Sequence, residues 1–346
     1  MKADKKVVTF GEIMMRLTPP DFLRFTQARS FNVIYAGAEV NVAIALANLG
    51  VPVDFVTSLP RNELGDACIN YIRQFGVGIN QIIRSEDRLG TYFIETGAVQ
   101  RGNKVIYDRA NSAFANIRPK MIDWNDVFSD AQWFHWSGIT PAVSKGAAET
   151  CVEAVKKAKE MGLTVSSDLN YRSKLWKWGK TPEDIMSNLM KYVDIVIGNE
   201  EDAEKVFGIK TPGADVTKGQ INAEKYRYVT KKLMERFPNL KLIAITLRQS
   251  ISASHNKWSG VLYDGKTLYK SSNYDITHIV DRVGAGDAFS AGLIYKFLDE
   301  SDRQKTLDFA VALSCLKHTI YGDSCVVTLE EVEKLMKGVT SGRISR

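Results

Sequence analysis

The chain is poor in the residues that build stapled or metal-dependent folds. Its 346 residues include four cysteines, Cys68, Cys151, Cys315 and Cys325, far apart and with no CxxC pair. That argues against a disulfide framework or a zinc site, and Cys151, inside a helical pattern, reads as a buried thiol. The four histidines, His135, His255, His278 and His318, share no metal-ligand spacing, so core or surface positions are expected for all of them. No apolar run approaches the roughly 20 residues that span a bilayer. Even the opening stretch MKADKKVVTFGEIMMRLTPP is interrupted by Glu12 and Arg16, so no secretory signal is read there; a cytoplasmic protein with reduced thiols is expected. Internal repeats and low-complexity segments are missing. So is any basic stripe interleaved with aromatics, which speaks against a nucleic-acid partner.

The remaining composition, 45% hydrophobic and 25% charged, is that of a globular protein with a sizeable core. The net charge of +6 is spread along the chain. Short basic runs at 2–6 and 341–346 read as solvated ends, and the mild positive excess suits a small anionic substrate.

Short β-branched runs alternate with helical patterns. Strands are expected over 7–13, 52–58, 163–168, 192–197 and 241–247. Helices are expected over 38–49, 63–75, 145–161, 182–190, 223–236, 285–298 and 304–321, with another starting at 200. Ser144 and Gly162 supply start and stop signals for the helix between them, and the run AEVNVAIALANL at 38–49 is apolar nearly all round, as in a buried helix. Repeated strand–helix alternation predicts an α/β fold, a mostly parallel sheet with helices on both faces. Two stretches, about 14–37 and 88–112, break the alternation. GTYFIETG and GNKVIYDRA read as strands joined by a turn near 100–103, and these stretches are assigned to a small separate sheet lying over the core as a lid. Trp133 and Trp136, beside a strand end, are expected to pack.

Ligands of open α/β sheets bind at the carboxyl ends of strands. Polar clusters fall there at 167–172 (SDLNYR), 198–202 (GNEED) and 246–248 (TLR), and a glycine turn lies at 284–287. The turn belongs to DRVGAGDAFSAG, 281–292. Gly284 and Gly286 permit close ligand approach, and successive N–H groups at a helix start form an anion hole. A dinucleotide fingerprint would need a glycine where Phe289 stands, and the phosphate-loop pattern GxxxxGK[ST] occurs nowhere in the chain. A purely structural turn before a core helix is the plain alternative. Asp287 favours chemistry instead. A carboxylate beside an anion hole can accept a proton from a substrate hydroxyl, while the backbone N–H groups of Gly284, Ala285 and Gly286 hold the charge that develops in phosphoryl transfer. Mg²⁺ would bridge the nucleotide phosphates.

The run Asp281-Arg282-Val283-Gly284-Ala285-Gly286-Asp287-Ala288-Phe289 resembles the second signature of the ribokinase-like (PfkB) carbohydrate kinases, with Arg282 in place of the usual Thr. AGAEVNVAIALANLG followed by PRNELGD resembles the first, and the similarity runs from Phe10-Gly11-Glu12 to Val326-Val327. It implies a Rossmann-like core with a β-sheet lid, ATP as donor, a primary hydroxyl as acceptor, and Asp287 as catalytic base. Asn199 and Asp202 match the family's N-x-x-E motif, which organises Mg²⁺ through water; Asp202 stands where Glu is usual, with Glu201 adjacent. Gly284 and Gly286 with Asn199, Thr246 and Arg248 fall on the nucleotide side, Arg248 where relatives often carry Gly. Whether a monovalent cation also binds is left open.

A neutral sugar needs no fixed positive charge, whereas a sugar acid calls for Arg, whose planar fork matches a carboxylate. Arg109 and Arg172 lie in segments similar to those of 2-keto-3-deoxygluconate kinases. The same similarity makes Gly37, Asn41, Tyr92, Tyr107 and Asp323 substrate-side residues; read without it, Tyr92 and Tyr107 are cross-strand packing partners. The expected activity is ATP-dependent phosphorylation of 2-keto-3-deoxygluconate at its 6-hydroxyl. The alternatives are another sugar kinase of the family, such as a fructokinase or ribokinase, and a non-catalytic binding protein on the same fold. Exposed edges of a lid sheet suggest a homodimer or larger homo-oligomer.

Overall fold

A computed structural model describes residues 5–199, 201–210, 223–299 and 302–339; the basic tail and Glu200 lie outside them. Strands are β1 (Lys6–Phe10), β2 (Met14–Thr18), β3 (Asn32–Ala36), β4 (Val53–Leu59), β5 (Ile82–Arg84), β6 (Thr91–Glu95), β7 (Lys104–Asp108), β8 (Ala131–Ser137), β9 (Thr164–Asp168), β10 (Ile195–Asn199), β11 (Leu242–Ser252), β12 (His255–Tyr263), β13 (Leu268–Lys270) and β14 (Tyr274–Ile276). Helices are α1 (Ala38–Asn48), α2 (Glu63–Arg73), α3 (Trp124–Val127), α4 (Ile139–Val143), α5 (Lys145–Glu160), α6 (Pro182–Leu189), α7 (Asp202–Phe207), α8 (Ala223–Arg236), α9 (Ala285–Phe297), α10 (Arg303–Lys317) and α11 (Leu329–Met336).

The large sheet runs β13-β12-β11-β10-β9-β8-β1-β4-β5, with β14 also on β12. From β5 to β11 every neighbouring pair is parallel; β12, β13 and β14 add an antiparallel edge. Side chains along its strands alternate between two cores. Val7, Phe55, Ile197 and Ala244 face the layer of α1, α9 and α10. Val8, Val56, Val196 and Ile243 face the layer of α5, α6 and α8. This two-sided burial is why the strands read as near-continuous apolar runs. The cores bury Cys68, Cys151 and Cys325, and all four cysteines are free thiols. Buried Trp136, and Trp133 with its indole N–H on Ser166 Oγ at 2.8 Å, belong to β8 itself rather than to its margin. His135 and His318 are core residues.

The chain leaves β1 in one direction for β4 and β5, and returns on the other side through β8 to β11. Strand order therefore reverses between β1 and β8, and ligands of such sheets bind in the crevice at that switch point. Over it lies a second sheet, β3-β2-β6-β7, cored by Met14, Ala36 and Tyr92. β2 pairs with β6 in parallel, the other two pairs antiparallel. Both stretches that break the strand–helix alternation fall in this sheet. No helix among the described residues is long and apolar enough to cross a membrane.

Candidate active site

A cleft of about 400 Å³ opens between the two sheets. Asp168 and Asn199 end β9 and β10, Thr246 and Arg248 lie on β11, the glycine turn starts α9, and Tyr92 and Tyr107 descend from the small sheet. Fifteen residues singled out from the sequence line this one cleft: Gly37, Asn41, Tyr92, Tyr107, Arg109, Arg172, Asn199, Asp202, Thr246, Arg248, Gly284, Ala285, Gly286, Asp287 and Asp323; Glu201, the neighbour of Asp202, is exposed and does not.

Gly284 is the N-cap of α9 in the left-handed region, φ +83°. A Cβ there would also collide with the Asp323 carbonyl oxygen, so only glycine serves. The amides of the first helical turn, Ala285 to Asp287, have no carbonyl partner within the helix and point their dipole into the cleft. Gly37, the N-cap of α1, is under similar pressure: its Cβ would meet the Glu12 carbonyl. That tight contact aims α1 so that Asn41 Nδ2 donates to Asp287 Oδ2 at 2.7 Å.

The pKa of Asp287 is pushed up to about 7. Burial is the main cause; the Asn41 amide and Arg172 hold it down, and Asp323 and Glu39 push it further. Asp168 is driven well above the carboxylate range by burial, then by Asp202 and Asp287, with Arg172 opposing. Asp202 is also raised, mainly by burial. Its oxygens accept from the backbone N–H of Asn199 at 2.8 Å and of Tyr171 at 3.1 Å. Asn199 Oδ1 in turn accepts from the N–H of Glu201 at 2.8 Å and of Asp202 at 3.1 Å. These two residues therefore tie the ends of β9 and β10 together at the cleft wall. Among the described residues, no group of three or more His, Cys, Asp or Glu could hold a metal ion by itself.

The two arginines differ. Arg172 Nη1 donates to the Tyr171 carbonyl at 2.9 Å, and among the described residues no carboxylate is ion-paired with it. Its charge is nevertheless felt by Asp168, Asp202 and Asp287. Arg109 is buried and bound to Glu12, with Nε on Oε2 at 2.7 Å and Nη2 in ion-pair contact; Ser112 Oγ donates to the other oxygen at 2.6 Å. Its guanidinium also lies 5.8 Å from the Tyr107 ring centroid. Asp323 likewise has internal partners: Tyr92 donates its hydroxyl at 2.7 Å, and Arg16 Nη1 pairs with the other oxygen. Arg16 Nη2 reaches Asp281 Oδ2 at 2.7 Å. Burial works against the Arg16 charge, but Asp323 and Asp281 outweigh it and raise its pKa.

Many residues of the cleft's lining are marked in the sequence, but their internal partners are not. Arg16 and Glu12, noted only as breaks in an apolar run, are interior partners of two site residues. The available signal was an arginine followed by Thr18 at alternate strand positions, and Arg16 Nε does bond Thr18 Oγ1 at 2.9 Å. Beside Arg248, Arg282 donates to the Ala253 carbonyl at 2.7 Å. Its pKa is lowered by burial and by neighbouring Arg248.

A doubly covered parallel sheet, a strand-order switch beneath a small sheet and an anion-binding helix start define a ribokinase-like α/β fold. The chain belongs to the pfkB family of carbohydrate kinases, whose model matches residues 4–327. Its structure resembles the crystal structure of 2-dehydro-3-deoxygluconokinase from Thermotoga maritima, at 48% identity and TM-score 0.91, covering 96% of this chain and all of that one. In sequence it is 34% identical to the 2-dehydro-3-deoxygalactonokinase of Haloferax volcanii over 97% of this chain and 98% of that protein. It is 27% identical to the 2-dehydro-3-deoxygluconokinase of Bacillus subtilis over 93% and 92%.

Proposed function

We propose that the protein transfers the γ-phosphoryl group of ATP to the 6-hydroxyl of 2-keto-3-deoxygluconate, giving 2-keto-3-deoxy-6-phosphogluconate. The observation that carries this reading is the pairing of a carboxyl raised to about 7, Asp287, with an arginine, Arg172, that among the described residues has no carboxylate ion-paired with it in the same cleft. The first suits a general base working near neutral pH; the second suits an acid substrate.

Asp287 accepts the proton of the 6-hydroxyl. As O6 bonds to the γ-phosphorus, the bond from that phosphorus to the bridging oxygen breaks, and ADP leaves with the electron pair. The amides of Gly284, Ala285 and Gly286 hold the charge on the transferring group. Arg172 orients the substrate carboxylate. Arg109, already neutralised by Glu12, shapes the pocket wall with Tyr107 and is its second, adjustable donor. Arg248 and Thr246 serve the nucleotide. Asp168 at the end of β9 and Asp202 at the start of α7 would offer hard oxygen donors, which suits Mg²⁺, an ion that keeps water and leans on one or two carboxylates and the substrate phosphates. Asn199 and Asp202, already holding backbone N–H groups, would hold it through water. When bound, the ion neutralises the β- and γ-phosphates. The small sheet acts as a lid on one kinase domain spanning 1–346. Its outward Val33 and Ile106, about half exposed, support a homo-oligomer, and the free thiols suit a cytoplasmic setting.

The C4 epimer, 2-keto-3-deoxygalactonate, is the second reading, favoured by the name of the Haloferax relative; the higher identity to the Thermotoga enzyme favours the gluco form. The test is ADP release with both epimers, fructose and ribose. The gluco acid should give the highest kcat/KM. Preference for a neutral sugar would overturn the substrate, and no ADP with any of them would favour a non-catalytic binder.

A further inference from the structure

Among the described residues, Lys317 is the one lysine in the set of largest side chains that the fold buries completely, and the proposed reaction does not use it. It sits in the last turn of α10, a helix that holds the glycine turn at several points. Ser314 Oγ donates to the Ala285 carbonyl at 2.6 Å. The His318 carbonyl accepts from the N–H of Val280 at 2.9 Å and of Asp281 at 3.3 Å. Lys317 Nζ itself donates to the carbonyls of Asp281 at 3.3 Å and of Ile320 at 3.2 Å.

Asp281 is the hub of this region. Its Oδ1 accepts from the N–H of Val283 at 3.1 Å. Its Oδ2 takes Arg16 at 2.7 Å and the N–H of Gly322 at 3.2 Å. Three residues on is Gly284, and Asp287 follows in the same turn. Two carboxylates, Asp281 and Asp323, are thus buried beside the turn against two fixed cations, Arg16 and Lys317. With both cations the cluster is neutral. Without Lys317 it carries one uncompensated negative charge beneath a site that must receive a polyphosphate, and two backbone carbonyls lose their donor. Carbonyls and carboxylates in this arrangement are also what a desolvated monovalent cation would take as ligands, and the lysine ammonium already occupies that position. Burial pulls the Lys317 pKa down, while Asp281 and Asp323 work to keep its proton on.

We infer that Lys317 is a positioning residue, a built-in cation that holds the glycine turn in its anion-binding form and makes the enzyme independent of any added monovalent cation. The inference rests on the reading of that turn as the phosphoryl-transfer centre.

The experiment compares wild type, Lys317→Ala and Lys317→Met in potassium, ammonium, methylammonium and tetramethylammonium chloride at equal ionic strength. Wild-type kcat should be the same in all four salts. Lys317→Ala should lose about ten- to a hundred-fold in kcat in the tetramethylammonium salt, the scale of one charge-assisted contact, with little change in KM for the sugar acid, which Lys317 does not touch. Ammonium or methylammonium should restore much of that loss by entering the vacated space. Lys317→Met, which fills the space without charge, should lose kcat and respond to none of them. A wild type that needs potassium, a Lys317→Ala that keeps its kcat, or a folded Lys317→Ala that no small cation restores would overturn the inference. Should neither variant fold, the wild-type salt comparison decides by itself. If wild type released no ADP with any sugar, the kinase reading would fall separately. Calorimetric ATP affinity, equal in potassium and tetramethylammonium salts, would then still support the fixed cation, and potassium-dependent affinity would overturn it.

Discussion

At Asp287 the energetics of burial and of catalysis pull in opposite directions. With a pKa near 7, the carboxyl is half protonated at neutral pH. As the proposed base it must be ionised, so kcat/KM should rise with pH through about 7. Asp287→Asn should abolish that limb and lower kcat by about 10²–10⁴-fold; initial rates across the pH range check both. Stability should move the other way. The folded pKa lies above the unfolded value of about 3.9, so the contribution of Asp287 is fully present below that value and lost as pH rises through about 7. Asp287→Asn should therefore melt higher than wild type at alkaline pH, the gap closing as pH falls toward the unfolded value. Equal melting temperatures at all pH values would contradict the burial argument.

The arginines divide similarly. Arg172→Ala should cost about one to two decades of kcat/KM on the sugar acid, the loss of one charge-assisted bond, and much less on fructose. Arg109→Ala should instead show in the melting temperature, because it strands the buried Glu12 carboxylate at a cost of about 3–5 kcal/mol; Glu12→Gln in the same chain should recover part of it. Asp287 and Arg172 were legible because each sits in a contiguous motif at a strand or helix end. The partners of Arg16 lie 265 and 307 positions away and that of Arg109 lies 97 away, and local pattern says nothing about such pairings.

The elements that carry their own punctuation are the legible ones. In α5, Ser144 accepts from the N–H of Ala147 at 3.1 Å, and Gly162 follows the helix with φ +80°. The apolar run of α1 is buried as expected. Other elements were cut short or went unread, and three show why. β11 runs on to Ser252 and pairs with β12, but its outer half is polar and weakly periodic. β8 is rich in Trp and His rather than aliphatic residues. The helix α11 is short, although Thr328 and Glu331 form a capping box, a visible start signal. The small sheet was read from its strand composition, yet what ties it to the core is ionic. Arg16 on β2 and the Tyr92 hydroxyl on β6 converge on Asp281 and Asp323 beside the glycine turn. Arg16→Leu should leave two carboxylates buried and lower stability by about 3–5 kcal/mol, whereas Tyr92→Phe should cost only about 1 kcal/mol; denaturant melts check both. With few core contacts of its own, the small sheet should belong to the less stable part of the fold. Amide exchange across 88–112 should slow when the sugar acid binds. Unchanged exchange with binding confirmed would contradict a closing lid.

On the scale of the whole molecule, the two-sided sheet supplies a rigid floor and the small sheet a cover, with charge concentrated where they meet. Exposed Val33 and Ile106 on the cover's outer face predict a homo-oligomer in solution, which light scattering after size exclusion measures directly. The central claim is that this interior is built for an acid acceptor. Its most direct measurement is kcat/KM of the wild type for 2-keto-3-deoxygluconate and for fructose, followed by ADP release with Mg²⁺ and ATP saturating. The account predicts a preference for the acid that shrinks sharply in Arg172→Ala. A wild type that prefers fructose, or an Arg172→Ala that loses equally on both substrates, would contradict it.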